Sequence, residues 1–563
     1  MVKRLIDFRL KHPCLLAVLI NVAAIVLGLL CHPMYETSDD PLMMIISADI
    51  SSNSEELIFA NIVLGWVLRG LTCVAPFINW YTISHFAMMF ASFTLLTYIF
   101  LKGSNNKVCL LSVIAVFIIA LELYTGIQFT KTSALAVIAG IIGVLYSVKK
   151  KRGLSALTVF SSLLAIYGSL LRIESLYLVL ILGSAFFVYE VVCLLKNGEK
   201  KIAITVVVVS AITVVAILGL DFYQRNHYSK SSELDAFNGF NIERSRVVDV
   251  TNGVPAYTDY KDEYNALGLY EEDYNILNTW IYADTDVFPE DILHQIADFR
   301  PQRTPSAMIS DLINIGLPFL LQRESFFYIV LVITCGVFLI YGNDRKILPM
   351  LLLTPIPAYA MLLYLDRYTQ HRVALMLIVG PLFFLLYHMA EKGSIKSESP
   401  SNIKTLIVSL LSAFLAVEFI LMLVINYNQN TVGFVHEQRR HTEISEIASD
   451  ESRLYLIPAW EVYWAFYKDI TFNPVEDNYL ENVYSLTTWE VLSPRYNAIL
   501  TSYGLGNPIK DSINNPDVVY IENIDDSRTE ALLAYIRLHY DENAEAELIE
   551  QQGEFYTYRI VSR

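Results

Sequence analysis

Long apolar runs separated by short polar breaks occupy most of the chain before residue 427. A hydrocarbon layer about 30 Å thick takes roughly 20 mostly apolar residues per crossing helix. Runs of that kind lie near residues 14 to 31, 80 to 101, 108 to 127, 132 to 148, 154 to 171, 175 to 195, 202 to 220, 325 to 341, 347 to 365, 373 to 390 and 405 to 426. The pattern predicts an α-helical polytopic membrane protein of about eleven spanning helices. Polar sequence gathers in three places, 32 to 79, 221 to 324 and 427 to 563. The last of these alternates strand-like runs, Arg453 to Pro458 and Asp517 to Glu522, with a helix-like stretch from Arg528 to Tyr540, and closes on a strand from Glu554 to Val561. The expected organisation is a polytopic domain over 1–426, carrying the loops 32–79 and 221–324, followed by a small α/β domain over 427–563.

The first apolar run follows Lys3, Arg4, Arg9 and Lys11, as in a signal peptide. It is long and lacks a small-residue cleavage site, so an uncleaved anchor is expected. No repeat of roughly 20 to 50 residues and no inverted pair of broken helices stands out, which weighs against a secondary transporter.

Composition sharpens the assignment. The chain is 54% hydrophobic and 17% charged, above the roughly 45–50% apolar content of soluble domains. Its net charge of −16 is uneven: residues 427–563 hold 23 acids against 10 bases and residues 221–324 hold 18 against 8, leaving +7 for the remainder. This acidic balance offers no footprint for nucleic acid. Short-loop Lys and Arg favour the cytoplasmic face. The clusters Lys102 and Lys107, Lys149 to Arg152, Lys196 to Lys201, Arg345 and Lys346, and Lys392 to Lys404 all fall inside together, with the N-terminus, if the stretch Leu57 to Ala75 does not cross. That stretch is expected to be a juxtamembrane helix, because Asn61, Gly65, Arg69 and Thr72 form one polar stripe at helical spacing. The regions 32–79, 221–324 and 427–563 are then extracytoplasmic.

The six cysteines all lie in hydrophobic runs, and the ten histidines are scattered. Neither a disulfide framework nor a catalytic zinc site is expected.

Two features carry candidate chemistry. Asp39 and Asp40, in the segment Tyr35 to Pro41 directly after the first span, are adjacent carboxylates at the interface, followed by a short apolar stretch from Leu42 to Ile50. In a partly shielded site such carboxylates take a raised pKa and accept a proton from a hydroxyl nucleophile. The same residues also suit a helix cap, with Ser38 or Asp39 as N-cap and Pro41 in the first turn. The second feature is a set of cations at the expected extracytoplasmic ends of spans: Lys131, Arg172 beside Glu174, and Arg367, His371 and Arg372. At that depth they need a counter-ion, and a phosphate head group supplies one, whether of a bound carrier or of surrounding membrane lipid. No glycine-rich loop for a nucleotide phosphate stands out.

This layout resembles the GT-C superfamily of membrane glycosyltransferases, which take sugars from polyprenyl-phosphate or polyprenyl-diphosphate carriers. Members have a first span, a long extracytoplasmic loop that opens on acidic residues, juxtamembrane helices, further spans and often a C-terminal extracytoplasmic domain. The resemblance implies Asp39 or Asp40 as general base, with Asp40 slightly preferred. It implies Arg69, Lys131, Arg172, Glu174, Arg367, His371 and Arg372 as the substrate-binding set. The expected partners are a polyprenyl-phosphate-linked sugar, an envelope glycan, lipid or protein acceptor, and membrane lipids. No cofactor is implied, and the need for a divalent cation stays open. The middle loop, with Arg244, Ser245, Arg246, Asp249, Trp280, Asp284 and Asp286, has no counterpart to assign. An O-antigen-type polymerase, a transporter or flippase, and a non-catalytic scaffold stand beside this reading. A transporter should carry its ionisable groups deep within spans, and here most sit at span ends.

Overall fold

The computed structural model of this chain describes residues 8–49, 55–103, 106–301, 303–341, 344–391, 402–467, 473–475, 479–525 and 527–563. Lys3 and Arg4 of the charged start, Lys392 and Lys396 of the last basic cluster, and Ile50, which closes the expected juxtamembrane stretch, lie outside the described residues.

Among the described residues nine helices are long and apolar enough to cross a membrane: Pro13–Leu30, Trp80–Gly103, Val108–Thr125, Phe129–Lys151, Ile173–Lys196, Lys200–Tyr228, Ile347–Tyr364, His371–Glu391 and Leu406–Ile447. The pair Pro305–Arg323 and Ser325–Ile340, bent by 79° at its break, makes a tenth if it counts as one span. The expected run 154 to 171 is a helix of 16 residues, Ala156–Leu171. At 1.5 Å per residue it is about 24 Å long, short of the hydrocarbon thickness.

That short helix lies against Phe129–Lys151 through small residues. A Cβ added at Gly140 would fall 2.7 Å from the Cβ of Ala165, and one at Gly168 would fall 2.6 Å from the carbonyl oxygen of Ser133. Close backbone approach of this kind takes the place of the hydrophobic driving force that lipid cannot supply. Phe129–Lys151 and His371–Glu391 are buried along nearly their whole length and form the centre of the bundle. The first starts on Gln128, whose side chain accepts from the N–H groups of Thr130 and Lys131. It ends on Lys149, Lys150 and Lys151, where cations oppose the negative end of the helix dipole.

Residues 57 to 75 give a helix of 13 residues, Ile62–Val74, too short to cross. Its polar stripe is turned inward: Asn61 caps it, Arg69 pairs with Glu55 at 3.1 Å, and Thr72 donates to the carbonyl of Ser47 at 3.2 Å. Its other face exposes Trp66, Val67, Leu71 and Val74.

The last apolar run continues without a break as one 46-residue helix, Asn402–Ile447, so residue 427 falls inside it. Beyond it stands a five-stranded sheet in the order β4-β3-β5-β7-β6. Its strands are β3 (Leu454–Ile457), β4 (Val483–Ser485), β5 (Val518–Asn523), β6 (Ala544–Gln552) and β7 (Phe555–Ser562). β4, β3 and β5 run parallel, and β7 turns back antiparallel to both β5 and β6. The expected strands correspond to β3, β5 and β7, and the expected helix to Thr529–His539. β4 is only three residues long, and β6 reads Ala-Glu-Ala-Glu-Leu-Ile-Glu-Gln-Gln, too polar to signal a strand by hydropathy.

The middle polar segment folds onto this sheet. Phe240, Tyr264, Ile276, Tyr282 and Phe288 share one apolar core with Leu454, Tyr484, Tyr520 and Tyr535. Tyr282 donates its hydroxyl to the carbonyl of Thr487 at 2.8 Å, and Asp284 accepts from Tyr535 and Asn507, each at 2.7 Å.

Candidate functional site

A two-residue parallel pairing assembles the site. Met34–Tyr35 (β1) after the first span pairs with Gly126–Ile127 (β2) before the central helix, and the N–H of Glu36 adds to it by donating to the carbonyl of Ile127 at 3.0 Å. This brings the helix Asp39–Ala48 to the start of Phe129–Lys151. Ser38 makes no side-chain cap on its own helix. The cap is made elsewhere: Asp40 Oδ1 accepts the backbone N–H of Phe129 at 3.0 Å and the Tyr81 hydroxyl at 2.9 Å, and Thr37 donates to Oδ2 at 3.3 Å. Asp40 is fully buried and is not among the residues that line the cavity described next, whereas Asp39 is.

Asp39 lies on the wall of a cavity of about 1210 Å³, large enough for a sizeable ligand. Arg172, Arg244, Arg367 and Arg372 share that wall, and so does Glu174. Burial pushes the Asp39 carboxyl above the usual carboxylate range, with Arg372 and Arg172 opposing the shift in part. Apolar residues also line the cavity, Ile166 and Leu170 from the short helix and Ile217 and Leu220 from Lys200–Tyr228.

The guanidinium groups differ in how they are held. Arg244 is clamped on Asp249 by two bonds of 3.0 and 3.1 Å. Arg172 donates to Thr130 at 3.1 Å, lies 4.8 Å from the Phe129 ring centre and meets Glu174 at 3.5 Å. Arg367 donates to the carbonyl and hydroxyl oxygens of Ser245, both at 3.1 Å. Arg372 keeps a buried Nε without a hydrogen-bond partner. Neither Arg367 nor Arg372 has a carboxylate partner among the described residues. They are therefore the cations best placed to meet an anion from the cavity.

The remaining members of the expected substrate-binding set lie elsewhere. Lys131 is buried between Glu36 and Glu122, at 2.7 Å from each. His371 lies at 2.9 Å from Glu122 and contacts Glu324 through Nδ1. Both belong to a network beneath the cavity, where two carboxylates already match the lysine, and neither lines the wall. Arg69 is engaged with Glu55 on the juxtamembrane helix and is not on the wall either.

Sequence reasoning left several wall residues without a role, above all Arg244, Ser245 and Asp249 of the middle segment and Trp280, Trp460, Trp464 and Trp489. Those four are most of the six tryptophans in the chain. A signal existed in the dense charge of 244–249. Nothing along the chain showed that this segment returns to the first loop.

The arrangement puts a carboxylate and several guanidinium groups on one cavity wall together with apolar side chains; a carboxylate can accept a proton and guanidinium groups can hold an anion. Among the described residues no group of three or more His, Cys, Asp or Glu side chains is arranged to hold a metal ion. No protein-family model, no curated protein and no solved structure matches this chain.

Proposed function

We propose that the chain is an integral membrane glycosyltransferase that moves a sugar from a polyprenyl-phosphate-linked donor to an envelope glycan, lipid or protein acceptor. The observation that carries this reading is that one cavity is lined both by Asp39, Arg367 and Arg372 and by Ile166, Leu170, Ile217 and Leu220. A polyprenyl phosphate has the matching form, an anionic head on an apolar chain. In this reading the chain crosses the cytoplasmic membrane eleven times, counting the bent pair and Ala156–Leu171, whose length of about 24 Å the bilayer meets by local thinning. Its N-terminus is cytoplasmic, and the sheet-bearing region with its middle segment stands outside.

The reaction is a single displacement. Asp39 takes the proton of an acceptor hydroxyl as that oxygen bonds to the anomeric carbon. The bond from that carbon to the phosphate oxygen breaks with its electron pair on the oxygen, and Arg367 and Arg372 hold the departing phosphate. The configuration at the anomeric carbon inverts. The test is mass spectrometry of envelope glycans from cells with the protein, without it, and with Asp39→Asn. Loss of one sugar increment in both deficient strains is expected. Identical glycans in all three would overturn the reading.

A further inference from the structure

We propose that the part of the cavity wall formed by Trp280 and Trp460 is an acceptor subsite for a neutral saccharide. The proposal rests on the glycosyltransferase reading and names the class of its acceptor.

The two tryptophans come from distant parts of the chain and are tied together by one side chain. Arg528 donates to the carbonyl of Thr279 at 2.9 Å, to the carbonyl of Pro458 at 3.3 Å and to Glu461 at 3.0 Å. Thr279 immediately precedes Trp280, and Pro458 and Glu461 bracket Trp460. Both indoles line the cavity, and they are 40% and 43% exposed.

Trp280 stands at a position that a packing role does not explain. It follows the C-cap of helix Glu271–Asn278 with φ of +68°, where glycine is the usual residue. Its N–H closes the turn on Leu277 at 2.9 Å, and that of Ile281 closes on Ile276 at 3.1 Å. A bulky side chain is disfavoured in the left-handed region, and here the residue lines the cavity and stays partly exposed instead of entering a core. Nearby Trp489 is 4% exposed, lines the same cavity, and has a buried indole N–H without a hydrogen-bond partner. A ligand hydroxyl is a suitable acceptor for it.

The charges beside Trp460 are already paired among the described residues. Glu461 is matched by Arg528, and Glu437 by Arg440 at 3.2 Å. The unmatched cations, Arg367 and Arg372, are the clamp assigned to the donor phosphate. Exposed indole faces among matched charges suit a ring with C–H groups on one face and hydroxyls at its edge.

The test is calorimetric titration of the full-length protein in lipid nanodiscs. The probe is the neutral oligosaccharide fraction released and delipidated from envelopes of cells lacking the protein. Saturable binding is expected, weakened roughly tenfold by Trp460→Ala and by Trp280→Gly. Trp280→Gly relieves the backbone and should not lower the unfolding temperature, so its loss of binding is not a loss of fold. Transfer that survives Asp39→Asn would remove the proposed catalysis while leaving the subsite standing. Unaltered binding in both tryptophan variants overturns the subsite. So does binding of tryptic envelope peptides in place of the glycan fraction, or binding only to glycan still carrying its lipid.

Discussion

Asp39 and Asp40 are neighbours in the chain and face different surroundings: Asp39 opens on the cavity, and Asp40 is sealed beneath it, bonded to Tyr81 at 2.9 Å. Burial pushes the Asp40 carboxyl well up, towards its neutral form. Asparagine is nearly isosteric with that form and still accepts through its carbonyl oxygen. Asp40→Asn should therefore keep transfer within a few-fold, and Asp40→Leu, which strands the Phe129 N–H, should lower the yield of folded protein. Asp39→Asn removes the proton acceptor and should cost about 10²- to 10⁴-fold in transfer. Transfer rates at equal protein levels, measured in nanodiscs, separate the two positions. Full activity of Asp39→Asn would remove it as the base.

The pH profile follows from the same residue. A base works only when ionised, so transfer falls as pH drops through its pKa. Because burial raises the Asp39 pKa, the acid limb should lie above the ordinary carboxylate range. Arg372 is the strongest opposing influence, so Arg372→Gln should move that limb to still higher pH. An acid limb that stays in place in Arg372→Gln would argue that the two groups are not coupled.

The phosphate clamp predicts a contrast between cations. Arg367→Ala or Arg372→Ala removes a donor to the leaving oxygen and should reduce transfer by roughly 10²-fold at normal expression. Lys131→Met leaves Glu36 and Glu122 facing each other in a buried setting. It should reduce membrane insertion and thermal stability. Quantitative blots beside transfer assays distinguish loss of protein from loss of rate.

Arg495 joins the first loop to the C-terminal region, with Asp49 at 3.4 Å and Glu490 at 3.0 Å, all three nearly inaccessible. Removing one partner of a buried ion pair leaves an uncompensated charge, at a cost of about 3–5 kcal/mol. Arg495→Met should lower the unfolding temperature clearly, as read by fluorescence-monitored melting in detergent. An unchanged melting temperature would show that the contact contributes nothing to holding these regions together.

Orientation is tested by cysteines placed at Ser231 and at Gly153 in intact cells. The first should react with an impermeant thiol reagent and the second should not. The reverse pattern would invert the topology.

The helical membrane fold and the positions of most spans are legible along the chain, because burial in lipid requires long apolar runs that are visible one residue at a time. The sequence also showed the polar stripe of the short helix at 62–74, since helical spacing is local, and the strands β3, β5 and β7, which stand out as short runs rich in β-branched and aromatic residues. The adjacent carboxylates and the cations at span ends were legible as types. Their division was not. Whether Lys131 and His371 meet a ligand or a carboxylate depends on Glu36, Glu122 and Glu324, which lie on separate elements. Asp39 differs from Asp40 because the β1–β2 pairing carries Phe129 to one of them and not the other. The tryptophans suited an interfacial belt and a sugar site equally well in the sequence. Only the return of the middle segment to the sheet, fixed by a shared apolar core and by Arg528, gathers four of them around one cavity. Local pattern reports what each residue requires of its surroundings; which residues meet those requirements is decided by long-range packing.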